Sequence, residues 1–162
     1  WQAVDARSLA WRSWLSGAKG YTYGAGEVPP KTARGGGGLW GWVTDPEAPD
    51  AWKKALQWES SSQMSHLHDF LAAIEWWRLE PAPELIGNQP EAWTHRMTVA
   101  RIPGRDVAVA YLPDNEEIEV DLATFSAPLA ARWFDPVRGR FAPAPTRDRI
   151  GNAGVHRFVP PA

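Results

Sequence analysis

The sequence has no cysteine, no long apolar run and no excess of either charge. Without cysteine it forms neither disulfides nor thiolate metal sites. No apolar run reaches the roughly 18 residues that a membrane-spanning helix needs, and no charged-then-apolar leader is visible. Lys and Arg number 17 and Asp and Glu 19, with no basic stripe. We therefore expect neither nucleic acid nor a membrane surface as partner, and a start at Trp1 is typical of a mature or excised piece.

Tryptophan is unusually abundant, with 11 in 162 residues. Nine of them lie in the first 80 residues: Trp1, Trp11, Trp14, Trp40, Trp42, Trp52, Trp58, Trp76 and Trp77. A dense tryptophan set has two interpretations, a thick core around helices or a platform on which sugar rings stack. Because most aromatic residues serve packing, abundance alone favours the core.

The N-terminal half has helical periodicity. The pattern predicts a helix from a cap at Asp5 to about Gly17, and four apolar residues recur at helical spacing: Leu9, Ala10, Trp14 and Ala18. A short buried strand is expected over residues 20–24, and a glycine-rich loop over 24–39.

Two further helices are predicted before residue 81. A short one starts at Asp45-Pro46, runs through Leu56 and is interrupted at Ser60-Ser61-Ser62. The next one has apolar residues three or four apart: Met64, Leu67, Phe70, Leu71 and Ile74, with Trp77 beyond.

The period changes after Pro81. Strands are predicted over residues 95–102, 107–112 and 155–159, and at Ile118, Val120 and Leu122, which alternate with acidic residues. A hairpin is expected around residues 135–139. The predicted domains are therefore a helical unit, residues 1–80, and a small antiparallel β-sandwich, residues 81–162.

The helix–strand–loop–helices order of the first half matches the last βα unit of a (β/α)₈ TIM barrel. In such barrels the loop after a strand lies on the catalytic face. This order would place Tyr23, Glu27, Trp40 and Trp42 at a mouth that binds substrate. One βα unit does not close a barrel, so another chain or segment is expected to complete it.

Several segments resemble the apiosidase-like glycoside hydrolases. Residues 12–24 (RSWLSGAKGYTYG) resemble the family's helix seven and strand eight, and Trp40-Gly41-Trp42 resembles its tryptophan pair. Residues 63–67 (QMSHL) and 76–81 (WWRLEP) resemble its last helix and the exit from it. Residues 107–113 (VAVAYLP) and 132–136 (RWFDP) resemble the β domain that follows, named a "putative collagen-binding domain".

The resemblance implies a carbohydrate substrate, a secreted or periplasmic location and a retaining mechanism with two carboxylates. Both carboxylates belong to earlier barrel strands, so we expect no catalytic residue and no cofactor in this chain. The loop departs from the family: a glycine-rich insertion follows Glu27, and the family's histidine is absent.

Several residues have competing interpretations. Glu27 is a site carboxylate or a solvated loop residue. His66 and His68 stand two apart, so on a helix they face different directions and predict no metal site. The acidic run 114–117 is a solvated turn rather than a calcium loop, because it lacks alternating ligands. Arg132 and Trp133 form a stacked pair or simply pack.

Three functional hypotheses follow. The first is a glycoside hydrolase fragment acting on plant or microbial polysaccharide. The second is a carbohydrate- or matrix-binding β module, which would be disfavoured if Trp93, Trp133 and Phe141 were all buried. The third is a purely structural domain, which burial of Trp40 and Trp42 away from any cleft would favour.

Overall fold

The computed structural model describes residues 3–23, 53, 56–126, 128–142 and 147–161. In the N-terminal part, the helices that the structure describes throughout are α1 (Ala3–Leu15) and α2 (Glu59–Ala72). Short 3₁₀ helices follow at Trp76–Arg78, Pro83–Leu85 and Trp93–His95. No helix within these described ranges is long and apolar enough to span a membrane.

Nine short strands are found in the described residues after α2. They are β1 (Glu80–Pro81), β2 (Thr98–Arg101), β3 (Ala108–Tyr111), β4 (Ile118–Asp121), β5 (Leu129–Ala131), β6 (Phe134–Asp135), β7 (Arg140–Phe141), β8 (Arg147–Ile150) and β9 (Val155–Phe158). They pair antiparallel in four small sheets, β1-β2-β3, β4-β9, β5-β8 and β6-β7. The architecture is therefore mixed helix and small antiparallel sheets.

The alternation of apolar and acidic residues correctly predicted β4 and its buried face. Ile118 and Val120 are buried, whereas Glu119 between them is half-buried. The predicted strands over 95–102, 107–112 and 155–159 are present as β2, β3 and β9, each shorter than expected. The predicted hairpin is β6-β7, in register Phe134 opposite Phe141.

Three local predictions were wrong. Asp5 is not a cap, because α1 already includes Ala3, and the acid lies in its first turn. The serines at 60–62 do not interrupt a helix but form the first turn of α2, where serine is tolerated because the first backbone N–H groups lack intrahelical acceptors. Residues 21–23 are not a strand, because nothing in the described part of the chain pairs with them.

Two hydrophobic clusters hold the fold together. The first combines residues of both halves: Ala10, Trp11, Leu15, Leu67, Leu71, Leu79, Ala100, Ile102 and Tyr111. The second lies within the β half, where β2, β4 and β8 contribute Val99, Ile118 and Ile150. Because the first cluster crosses the predicted boundary, the helices and the sheets share one core rather than packing as separate bodies.

Candidate functional site

Of the predicted mouth residues, the structure describes Tyr23, while Glu27, Trp40 and Trp42 lie outside the described residues. Tyr23 is half-buried, and its hydroxyl oxygen lies 2.5 Å from Oγ of Ser60, which is itself buried. This hydrogen bond joins the residue just before the predicted loop to the first turn of α2. The helix thus holds Tyr23, the last described residue before the predicted loop.

A buried glutamine beside this contact ties the two helices together. Gln63 has no exposed surface, and its Oε1 accepts a 2.7 Å hydrogen bond from Nη1 of Arg7. Its Nε2 donates a 2.6 Å hydrogen bond to Oε1 of Glu59. The side-chain amide therefore connects a cation on α1 to an anion in the first turn of α2 and satisfies its own buried polar groups.

Sequence reasoning missed Gln63, although the signal was available. Residues 60, 63, 67 and 71 follow helical spacing, and all four are buried. A glutamine on such an apolar face needs hydrogen-bond partners. The pattern could have singled out Gln63, but the identity of its partners required the fold.

An open, largely apolar groove of about 320 Å³ lies between the helices and residues 21–23. Its lining combines aromatic and aliphatic side chains of both helices with the two tyrosines: Trp14, Tyr21, Tyr23, Met64, Leu67, His68, Leu71, Ala72 and Trp76. Burial, and next the neighbouring Tyr23, raise the pKa of the Tyr21 phenol above its usual value, so it stays protonated at neutral pH. None of these lining residues is a carboxylate, so the described groove does not hold the carboxylate pair of a glycosidase.

The two histidines of α2 do different things. The Nδ1 atom of His66 lies 3.4 Å from the carbonyl oxygen of Pro136, so this ring packs against the β6-β7 hairpin. His68 is exposed and pairs with the adjacent Asp69 at 3.1 Å. Within the described ranges, no cluster of three or more His, Cys, Asp or Glu could hold a metal ion.

The remaining polar residues that the sequence singled out, the acidic run 114–117 and Arg132, form ion pairs or ring contacts. In the acidic run, Asp114 bonds His95 at 2.6 Å and Glu117 pairs with Arg157. The Arg132 guanidinium lies 3.9 Å from the ring centroid of Phe141. The stacking partner is therefore Phe141, whereas Trp133 packs against the second cluster.

The fold of this chain is similar to part of two solved glycoside hydrolase structures. A solved structure described as a glycoside hydrolase is 26% identical, with a TM-score of 0.75, and the match covers 98% of this chain and 33% of that one. A glycoside hydrolase family 5 structure from Bacteroides vulgatus ATCC 8482 shares the fold at 20% identity, with a TM-score of 0.73 and the same coverage. The chain thus spans about a third of the length of these structures.

Two family models match the chain in succession. Residues 1–78 match "Apiosidase-like, catalytic domain", and residues 81–162 match "Putative collagen-binding domain of a collagenase". The second model matches half of the chain, which therefore belongs to the family of that β domain, and residues 1–78 are similar to the apiosidase-like catalytic domain. No curated protein matches it.

Proposed function

We propose that this chain is the C-terminal end of a glycoside hydrolase barrel together with the β domain that buttresses it. The shared core carries this proposal. Trp11 of α1 and Leu67 of α2 pack in one cluster with Ala100 and Tyr111 of the β half. A β domain that only followed the barrel on a linker would make no such contacts with the helices.

Residues 21–23 support the assignment of α1, this segment and α2 to the last βα unit. Tyr21 and Tyr23 are half-buried against the helices, whereas Thr22 between them is exposed. This alternation is that of a strand with one face under helices. Such a strand needs neighbours on both sides, and in a barrel these are the strands of the other units.

Another part of the barrel would then pack in this groove. It would be either a segment of a longer chain or a separate chain. In a right-handed βα crossover, the helix packs over its own strand and the next one. The half-exposed aromatic lining around Trp14 and Trp76 would be covered by the side chains of that neighbour.

The reaction proposed for the whole protein is hydrolysis of a polysaccharide by two carboxylates located in the other barrel units. In this chain, Tyr23, Glu27, Trp40 and Trp42 remain the proposed substrate contacts, since Tyr23 ends the segment that would be the last strand of a complete barrel and the other three come after it along the chain. The hydrogen bond between Tyr23 and Ser60 and the bonds of Gln63 would hold the base of that loop.

The test is a hydrolysis assay on plant-wall oligosaccharides. The chain alone should release no sugar. In a second experiment, the chain is mixed with the part of the 26% identical glycoside hydrolase that it does not match, about two thirds of that protein, and light scattering should then show a 1:1 complex. Met64→Glu, which introduces a charge into the groove, should abolish that complex, while Leu9→Glu on exposed surface should not. Turnover by the chain alone would contradict the proposal.

A further inference from the structure

We propose that Trp93 is a carbohydrate-binding platform, a surface on which the C–H face of a pyranose ring stacks. Trp93 belongs to the 3₁₀ helix Trp93–His95 of the β half and is not one of the predicted mouth residues Tyr23, Glu27, Trp40 and Trp42. Trp93 is 69% exposed, the largest exposed fraction among the large hydrophobic residues in the described ranges. Because single exposed apolar side chains are common on protein surfaces, exposure alone does not indicate a binding site. The contacts that hold the Trp93 loop in place do.

The loop that presents Trp93 is closed at its base. Nε2 of Gln89 donates a 3.0 Å hydrogen bond to the carbonyl oxygen of Met97, and Oε1 of Gln89 accepts a 2.8 Å hydrogen bond from the Met97 backbone N–H. Met97 is itself buried in the second cluster. Residues 89–97 therefore form a pinned loop with its two ends joined.

Two further attachments hold the tip of the loop. Nη2 of Arg12, on α1, donates a 2.7 Å hydrogen bond to the carbonyl oxygen of Trp93, and its guanidinium lies 5.7 Å from the indole centroid. Nδ1 of His95 lies 2.6 Å from Oδ2 of Asp114 in the turn after β3. Arg12 thus covers part of one face of the indole, and the exposed area lies on the remainder.

The surroundings of Trp93 favour a sugar over a protein partner. The loop surface is mostly polar, since its exposed side chains include Glu91, Thr94, His95 and Arg96. A protein–protein interface has an apolar centre depleted of charged residues, which is absent from this described loop. An exposed aromatic face on a loop that also exposes hydrogen-bonding side chains suits a ligand with one apolar face and many hydroxyls.

Holding the indole in place before binding matters energetically. A ligand that meets an already ordered side chain does not lose affinity to the entropy of ordering it. The bonds of Gln89, Arg12 and His95 hold the loop backbone, and the Arg12 guanidinium over the ring is the contact that orders the indole itself. The choice of a glycan as the ligand of Trp93 rests on the proposed function, whereas the geometry of the loop does not.

The experiment is affinity electrophoresis of the chain through native gels containing hydroxyethyl cellulose, soluble arabinoxylan or galactomannan. At least one polymer should retard the chain. Trp93→Ala should raise the dissociation constant at least about tenfold. Gln89→Ala, which leaves the indole but opens the loop, should weaken binding to a smaller degree.

Trp77→Ala is the matched control, because Trp77 is also 59% exposed but lies outside this loop. It should bind as the wild type does, and circular dichroism should show that all variants fold. Absence of retardation by all three polymers overturns the platform, as does equal binding by Trp93→Ala. A dimer that Trp93→Ala dissociates, without glycan binding, would replace it with a protein interface. These experiments measure binding and not hydrolysis, so none of their results contradicts the proposal that the chain is part of a barrel.

Discussion

The rings of Trp11 and Tyr111 are stacked, with centroids 5.9 Å apart and planes inclined by 11°. Trp11 is on α1 and Tyr111 ends β3, so this contact joins the helical unit to the first sheet. Phe70 meets the same indole edge-on at 5.0 Å, and Phe134 lies against it at 5.9 Å. One side chain thus contacts α2, β3 and β6 together.

Replacing Trp11 by alanine should destabilise both halves at once. We expect a loss of about 3–5 kcal/mol in the free energy of unfolding, typical of removing a buried aromatic ring. Urea unfolding followed by far-UV circular dichroism and by tryptophan fluorescence should still give coincident transitions. Trp77→Ala, at a 59% exposed position, should cost no more than about 0.5 kcal/mol. Separate transitions for helices and sheets would contradict the shared core.

Gly139 should not tolerate a side chain. It has a φ of +65°, and a Cβ atom there would lie 2.5 Å from Cδ2 of His66. Gly139→Ala therefore combines backbone strain with a collision that forces α2 and the β6-β7 hairpin apart. Gly104→Ala is the control, since Gly104 has a φ of +71° with open space around it, and should cost only the left-handed penalty of about 1–2 kcal/mol.

The larger loss at Gly139 should be measurable by thermal unfolding. Adding His66→Ala to Gly139→Ala should recover part of the difference, because it removes the colliding ring. Equal losses for the two glycine variants would show that the imidazole moves aside at no cost.

Gln63→Leu should destabilise the junction of the two helices. The leucine fills similar space, but it leaves Arg7 and Glu59 without the amide between them, at a cost of about 1–3 kcal/mol. Gln57→Leu makes the same chemical change at an exposed position and should be nearly neutral. Chemical denaturation measures both, and a neutral Gln63→Leu would show that the amide contributes packing volume alone.

Asp135 should make the stability depend on pH at the acidic end. Burial raises the pKa of this carboxyl, but hydrogen bonds from Arg138 and Val137 and the charge of Arg138 outweigh it, so the pKa falls below its usual value of 3.8. The folded state therefore binds the proton more weakly than the unfolded state. The contribution is complete above the unfolded pKa and is lost as pH falls through the lower, folded pKa.

Asp135→Asn removes the charge and should lower stability by up to about 1 kcal/mol at neutral pH, since the Arg138 side chain of the pair is largely exposed. Stability measured from pH 7 down to pH 2 should show the wild type converging on the variant at the acidic end. A constant difference over that range would mean that the carboxylate charge contributes nothing.

The sequence by itself determined the features that depend on neighbours along the chain. Alternation of Ile118 and Val120 with acidic residues gave β4 its buried face, and the turn residues after Phe134 gave the β6-β7 hairpin. Helical spacing placed α1 and α2 to within a few residues. The family resemblance rested on the same local segments, and the two family models confirm it.

Only the tertiary structure decided which distant side chains meet. The apolar face predicted for α1 did not include Trp11, which is buried and stacks on Tyr111 because of where α1 packs against β3. The partners of Gln63 and the attachment of Trp93 to Arg12 likewise come from separate elements. Residues 21–23 have a local β pattern but do not form a strand within the described chain. A strand also requires a neighbour that accepts and donates its backbone hydrogen bonds.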